Sequence, residues 1–114
     1  MFFEAPDESI WVGVLRLGLV VPGARSLKDK RRAIHQVRDR IRSRHELSVA
    51  EVGYLENNLR SVVAVAMVSS DQRLVQSTLD GIAHEVEGWG SVVVDERSLD
   101  IARPYEEDIS GDAY

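Results

Sequence analysis

The amino-acid sequence predicts a single α+β domain with the element order β-α-β-β-α-β. Two helical segments with apolar stripes are interleaved with four short segments rich in β-branched and apolar residues. The second and third of these strands are joined by a short turn sequence. This is typical of a hairpin and argues against a doubly wound parallel sheet, the main alternative. A length of 114 residues fits one domain with one core.

The first strand is predicted from Ile10 to Val21 because its alternate residues form a heavily apolar face. Pro22-Gly23 ends it. Ser26 is then a plausible N-cap residue, with Asp29 as its partner in a capping box, and the helix is predicted to run to about Arg44. Its apolar stripe consists of Leu27, Ile34, Val37 and Ile41.

A hairpin follows the first helix. Its strands are predicted over Leu47–Tyr54 and Arg60–Ser69, and Glu56-Asn57-Asn58 lies between them. Asparagine tolerates the left-handed backbone conformation and forms Asx-turns, so this connection has the chemistry of a turn.

The second helix is predicted to begin at a capping box of Ser69 and Gln72 and to end near Glu87. The fourth strand is predicted at Ser91–Asp95, with an irregular continuation through residues 99–101. Because β-α-β crossovers are right-handed, this order folds into a ferredoxin-like two-layer sandwich, with two helices on one face of a four-stranded antiparallel sheet.

The chain divides into an N-terminal extension (residues 1–9), the domain (residues 10–103) and an acidic tail (residues 104–114) that we expect to be mobile. The sequence contains no cysteine, which excludes disulfides and thiolate catalysis. The longest apolar run, Val62–Val68, is far shorter than a membrane span. The N-terminus lacks the pattern of a signal peptide, and we expect a cytoplasmic protein.

Charge is strongly polarised along the chain. Residues 25–45 contain nine of the fourteen Lys and Arg residues but only two acids, a segment charge of +7. The formal net charge of −5 therefore leaves −12 for the rest. On a helical wheel, a continuous basic ridge forms beside the apolar stripe, whereas Arg40 and Arg44 project on the other flank. The ridge consists of Lys28, Arg31, His35, Arg38 and Arg42.

The basic ridge predicts an anionic partner. A helix face that only confers solubility normally mixes both signs of charge, and this one has almost no intervening acids. RNA is the leading candidate, and an acidic protein surface, including the chain's own tail, is the alternative. The predicted binding residues are Arg25, Lys28, Arg31, Arg32, His35, Arg38 and Arg42.

The sheet face away from the helices is predicted to be an interface, first of all that of a homodimer. Apolar patches of this extent on a monomer usually mark a contact with a partner. A hetero-partner is the second interpretation, and coverage by the tail or by Phe2-Phe3 is the third. Arg16 and Glu51 are expected to neutralise each other or a dimer mate. The predicted interface residues are Val12, Val14, Arg16, Glu51, Val62, Ala64, Ala66 and Val68.

The sequence contains none of the common catalytic or metal-binding motifs that we considered. There is no glycine-rich phosphate loop and no nucleophile elbow, and the three histidines are not spaced with carboxylates as metal ligands would be. We therefore expect no catalytic residues, no metal, no cofactor and no small-molecule substrate.

Three segments resemble the bacterial YlxP-like family: Trp11–Leu15, Pro22–Arg32 and Ser48–Val52. The resemblance covers about residues 10–101 and implies a small cytoplasmic ferredoxin-like protein with no established catalytic residues and no cofactor. Members are often encoded beside translation and ribosome-maturation factors. Where the family usually has an Asp-x-Trp-Gln-Arg-like segment, this chain has Glu56-Asn57-Asn58-Leu59-Arg60. If that segment contacts the usual partner, the partner of this chain differs.

The sequence thus predicts a non-enzymatic accessory factor, associated with RNA in ribosome maturation or translation through the basic ridge. The alternative is a homodimeric interaction or scaffolding module whose ridge binds an acidic protein. An enzyme ranks third.

Overall fold

The computed structural model describes residues 5–105, and it confirms the predicted element order and fold class. The elements are β1 Trp11–Val20, α1 Leu27–Arg44, β2 Ser48–Gly53, β3 Arg60–Ser69, α2 Gln72–Glu87 and β4 Val93–Ala102. Residues 1–4 and 106–114 lie outside the described part. The predictions for residues 1–4, including Phe2-Phe3, and for residues 106–114 of the acidic tail therefore stay predictions.

The sheet has the strand order β2-β3-β1-β4, and all of its neighbouring pairs are antiparallel. The central strand β1 places Leu15 opposite Val65 of β3 and opposite Leu99 of β4. The hairpin prediction is confirmed, since β2 pairs with β3 and, within residues 5–105, with no other strand, so that it forms one edge of the sheet. This edge position matters for the functional site because β2 has a free side.

One face of the sheet packs against both helices and forms the core. Leu15, Leu17 and Leu19 of β1 are at most 1% exposed, and their side chains meet the apolar stripes of the two helices. The helical contributors are Ile34, Val37 and Ile41 of α1 with Val75, Leu79, Ile82, Ala83 and Val86 of α2. Each such side chain contributes about 1.5–3 kcal/mol when it leaves water, so these stripes hold the helices on the sheet.

The N-terminus of α1 is capped as predicted, whereas the predicted cap of α2 is wrong. The Ser26 hydroxyl accepts from the Asp29 N–H at 3.1 Å. The N-cap of α2 is Asp71, whose carboxylate accepts from the Arg73 N–H at 2.9 Å. A cap must directly precede the first helical residue, and Ser69 lies too early. Its hydroxyl instead accepts from the Asp71 N–H.

The β2–β3 connection is an Asx-turn. The side-chain oxygen of Asn57 accepts from the N–H groups of Leu59 and Arg60 at 2.8 and 2.7 Å. Tyr54, just after β2, has φ of 54°, a conformation that is uncommon for a residue with a side chain. This conformation at Tyr54 needs a stabilising contact from elsewhere in the protein.

The fourth strand is longer than the sequence predicted. It spans ten residues, nine of which pair with β1, and the register shifts between Gly18 and Leu19. The sequence predicted a strand at Ser91–Asp95 with an irregular continuation through residues 99–101, whereas the strand runs without a break across the polar residues between them. Those residues belong to an edge strand with a solvent-exposed side, where polar side chains are acceptable.

Gly13 lets α2 lie close to the sheet, which gives a test of the packing. A Cβ at this position would lie 2.4 Å from Val75 Cγ1 and 2.7 Å from Leu79 Cδ1. Gly13→Ala is therefore expected to lower the free energy of unfolding by about 1–3 kcal/mol in urea titrations. Gly81→Ala is the control, because nothing lies within 4 Å of that Cβ and alanine is expected to stabilise α2 by about 1 kcal/mol. Equal effects of the two substitutions would contradict this account.

Candidate functional site

The basic ridge of α1 lies along the free edge strand β2. Arg42 donates from Nη2 to the carbonyl oxygen of Val49 in β2 at 3.2 Å. Arg31 approaches Glu56, beyond the end of β2, at 3.5 Å. Arg38 is half-buried, while the other ridge residues are exposed. The ridge thus forms one wall of a groove, and the edge of the sheet forms the other wall.

The remaining predicted binding residues lie near the ridge. Arg25 and Arg32 are both exposed. Arg25 precedes the helix, and its backbone N–H donates to the Asp29 carboxylate at 3.1 Å. Arg32 lies further around the helix, on the side turned away from the sheet.

The opposite flank of α1, where the helical wheel placed Arg40 and Arg44, faces α2 and Trp89, which follows the end of α2. The Arg40 guanidinium lies 4.2 Å from the centre of the Trp89 ring. Arg44 approaches Glu85 of α2 at 3.8 Å. These two cations therefore have partners within the protein, and the flank that remains turned toward solvent and toward β2 is the basic ridge.

Within the ridge, Arg38 and His35 form a joined pair. Arg38 Nη2 lies 2.8 Å from His35 Nδ1. Because a guanidinium only donates, Nδ1 is the acceptor and the ring carries its N–H at Nε2. The Nε of Arg38 is buried and has no hydrogen-bond partner in the described part of the chain. Asp39 Oδ1 lies 4.0 Å away from it, beyond hydrogen-bonding distance.

A cavity of about 130 Å³ opens between α1 and β2. Three polar ridge residues form most of its wall, and Glu51 of β2 contributes an acid. Its lining is Arg31, Ile34, His35, Arg38 and Glu51. The cavity therefore combines two guanidinium groups, an imidazole and a carboxylate.

Glu51 is held by a buried lysine. Lys30 is fully buried, and its Nζ donates to Glu51 Oε2 at 2.8 Å and to the carbonyl oxygen of Tyr54 at 2.9 Å. The Ser61 hydroxyl donates to the same Glu51 oxygen at 2.7 Å. A buried ammonium is stable only when it is paired and hydrogen-bonded, and here α1, β2, β3 and the hairpin loop all contribute. The Lys30 contact also accounts for the left-handed backbone at Tyr54.

The structure corrects the predicted placement of Glu51. Glu51 pairs with Val63 of β3 and lies on the helix-facing side of the sheet, beneath α1. It therefore does not belong to the outer face with the other predicted interface residues. The predicted compensation between Arg16 and Glu51 is also wrong. Arg16 lies on the opposite face and forms an ion pair with Glu96 of β4.

The other seven predicted interface residues do lie on the outer face, which has a charged half and an apolar half. Gly18 leaves space over β1 for the acids of β4, and Arg60 reaches Asp95 there at 2.7 Å. Val62 is only 6% exposed and packs against Gly53 within the same chain. What remains open is an apolar patch formed by Val12, Val14, Ala64, Ala66 and Val68.

Sequence reasoning missed the role of Lys30, although a signal was present. Lys30 falls between Leu27 and Ile34, three residues after one and four before the other, so it occupies a position of the apolar stripe. A lysine in such a stripe, together with a glutamate at an alternate position of a neighbouring strand, indicates a buried ion pair.

Two further searches concern residues 5–105. Within this range, no three histidine, aspartate or glutamate residues stand close enough together to hold a metal ion. Neither helix in this range combines the length and apolarity needed to cross a membrane.

Comparison with known proteins identifies a family and supports the fold. The sequence model of a family described as "Protein of unknown function (DUF503)" matches residues 12–98. No curated protein matches the chain significantly. Among solved structures, the chain is similar to one described as "De novo designed protein Foldit4", with a TM-score of 0.50 and 15% identity, over 82% of this chain and 96% of that one. At this identity the likeness supports the fold alone.

The buried ion pair yields an asymmetric mutational prediction. Glu51→Leu leaves the fully buried Lys30 ammonium without its carboxylate and is expected to cost about 3–5 kcal/mol in urea unfolding. Lys30→Met is expected to cost less, because Glu51 keeps Ser61 and is 19% exposed. The double variant Lys30→Met/Glu51→Leu is expected to recover most of the loss. Strictly additive losses would show that the two charges do not stabilise each other.

Proposed function

The chain belongs to the DUF503 family of proteins of unknown function, and we propose that it is a cytoplasmic, non-enzymatic accessory factor that binds RNA through the basic ridge. The observation that carries the proposal is the placement of this ridge. Its side chains lie beside the edge strand β2, and all of them but Arg38 are exposed. Arg31 and Arg38 have acids nearby, Glu56 at 3.5 Å and Asp39 at 4.0 Å, so the chain neutralises the ridge only in part.

The geometry of the ridge suits a nucleic acid strand. From Lys28 to Arg42, a rise of about 1.5 Å per residue gives a length of about 20 Å. That length covers several successive phosphates. Arginine also matches phosphate with a planar, bidentate fork of donors, and three of the five ridge residues are arginine.

The genomic association of the YlxP-like family, which three segments of this chain resemble, favours RNA over other polyanions. It supports a role in ribosome maturation or translation. The second candidate, an interaction module whose ridge binds an acidic protein surface, requires the same charges. The test therefore has to separate the two by the chemistry of the ligand.

Salt-dependent binding tests the RNA proposal. Labelled single-stranded RNA is titrated with the wild-type protein and with Lys28→Gln/Arg31→Gln/Arg38→Gln at several salt concentrations. The slope of log K against log salt is negative, and each lost phosphate contact is expected to reduce its magnitude by about 0.7. The triple variant is therefore expected to have a slope smaller in magnitude by about 2. The control Arg44→Gln/Arg73→Gln/Arg97→Gln removes the same charge away from the ridge and is expected to change the slope little.

Two outcomes would refute the proposal. One is the absence of RNA binding by the wild-type protein at low salt. The other is an equal effect of the two triple variants, since binding would then depend on net charge and not on the ridge. Binding of an acidic protein with the same ridge dependence, in the absence of RNA binding, would favour the second candidate.

We also propose that the chain is a homodimer through the apolar patch on the outer face of the sheet. Val14 and Val68 are 40% and 67% exposed, and Ala64 and Ala66 between them are small enough to let a second sheet approach closely. The charged side chains beside the patch are already paired with each other, Arg16 with Glu96 and Arg60 with Asp95.

Ala64→Arg tests the dimer. Sedimentation equilibrium at micromolar concentration is expected to give twice the chain mass for the wild type and the single mass for this variant. The new charge would lie directly opposite Arg16, whose acid Glu96 is already paired, and would have no partner in the dimer contact. Gln76→Arg places the same charge on the exposed face of α2 and is expected to leave the dimer intact. A monomeric wild type, or an unchanged mass for Ala64→Arg, would contradict the proposal.

A further inference from the structure

The cavity between α1 and β2 is lined by the carboxylate of Glu51, which a site that bound only phosphate would not need. We propose that this cavity binds one phosphate of an RNA strand together with the adjacent ribose 2′-hydroxyl, so that the chain distinguishes RNA from DNA. This inference rests on the proposed function, since it names the unit of the polymer that the ridge recognises.

The phosphate side of the cavity is formed by α1. Arg31 and Arg38 line it with guanidinium donors, and His35 lines it with a ring whose N–H is at Nε2. Guanidinium groups donate charge-assisted hydrogen bonds to anionic oxygens, so a phosphate oxygen in the cavity matches the groups that line this side.

The hydroxyl side is formed by Glu51. Lys30 and Ser61 both donate to Oε2, and no described residue donates to Oε1. A carboxylate has about four lone-pair positions, so Glu51 retains acceptor capacity while it lines the cavity. The 2′-hydroxyl is the donor that RNA has and DNA lacks.

The local charges allow an acid to stand beside a phosphate. The Glu51 charge is neutralised by the fully buried Lys30 ammonium at 2.8 Å. Among the lining residues, Arg31 and Arg38 then supply two positive charges, and the acids Glu56 and Asp39 lie 3.5 and 4.0 Å from them. Lys30 acts here as a positioning residue, because it fixes the carboxylate without lining the cavity.

The cavity has room for a ligand larger than a water molecule. Its volume of about 130 Å³ is roughly ten times the 10–15 Å³ that one water molecule needs. A ligand that offers only acceptors leaves Glu51 Oε1 without a donor, whereas a ligand that also offers a hydroxyl group can donate to it. Discrimination therefore arises from the donor and not from the number of phosphates.

The test changes the ligand and leaves the protein intact. Labelled oligouridylate is compared with its 2′-fluoro analogue, which keeps the ribose-like sugar conformation and the phosphates but lacks the hydroxyl donor. The wild-type protein is expected to bind the 2′-fluoro strand about tenfold more weakly, as expected for a hydrogen bond to a charged group. The salt slope is expected to be the same for both strands, because their phosphates are identical.

The outcomes separate the two proposals. Equal affinities for the two strands would overturn the inference and leave RNA binding by the ridge in place. Failure of both strands to bind would overturn the proposed function, and the inference with it.

A protein variant locates the effect. In Lys30→Met/Glu51→Leu, whose folding is checked by urea unfolding, the carboxylate and its buried counter-charge are removed together. The expected result is that the two strands bind with the same affinity. Persistence of the tenfold preference in the folded double variant would show that the discriminating acceptor lies elsewhere.

Discussion

The Lys30 ammonium lies in the core, and the surface between α1 and β2 depends on how its charge is neutralised. It draws Glu51 from β2 and the Tyr54 carbonyl from the hairpin loop to one point, and Ser61 of β3 completes the set. An unpaired buried charge would cost several kcal/mol, so these elements cannot move apart independently. The groove beside β2 has its shape because α1 is held at this point.

The same constraint separates the charges of α1 into two functional classes. Lys30 points inward and is structural. Arg40 and Arg44 connect α1 to α2 through Trp89 and Glu85. The basic ridge lies beside the edge strand, and Arg32 is exposed on the side turned away from the sheet. Arg42, which donates to the Val49 carbonyl, also occupies an edge group that would otherwise be open to pairing with another chain.

The fold was predictable because local signals agreed with one another. The strand alternation of β1, the stripe of α1, the Asn57 turn and the Ser26 cap each point to the same element order, and the structure confirms them. The errors occur where local signals compete. Asp71 replaces Ser69 as the cap of α2, and β4 extends through polar residues because an edge strand is solvated on one side.

The sequence by itself determined the element order, the apolar faces and the row of cations from Lys28 to Arg42, because these follow from periods of two and 3.6 residues along the chain. Only the tertiary structure decided which face received Glu51, and with it the pairing of Lys30 and the cavity that Glu51 shares with Arg38. The register of β2 with β3 sets that face, and a strand's two faces exchange with a shift of one residue. Such long-range pairing joins residues 21 positions apart, beyond the reach of any local period.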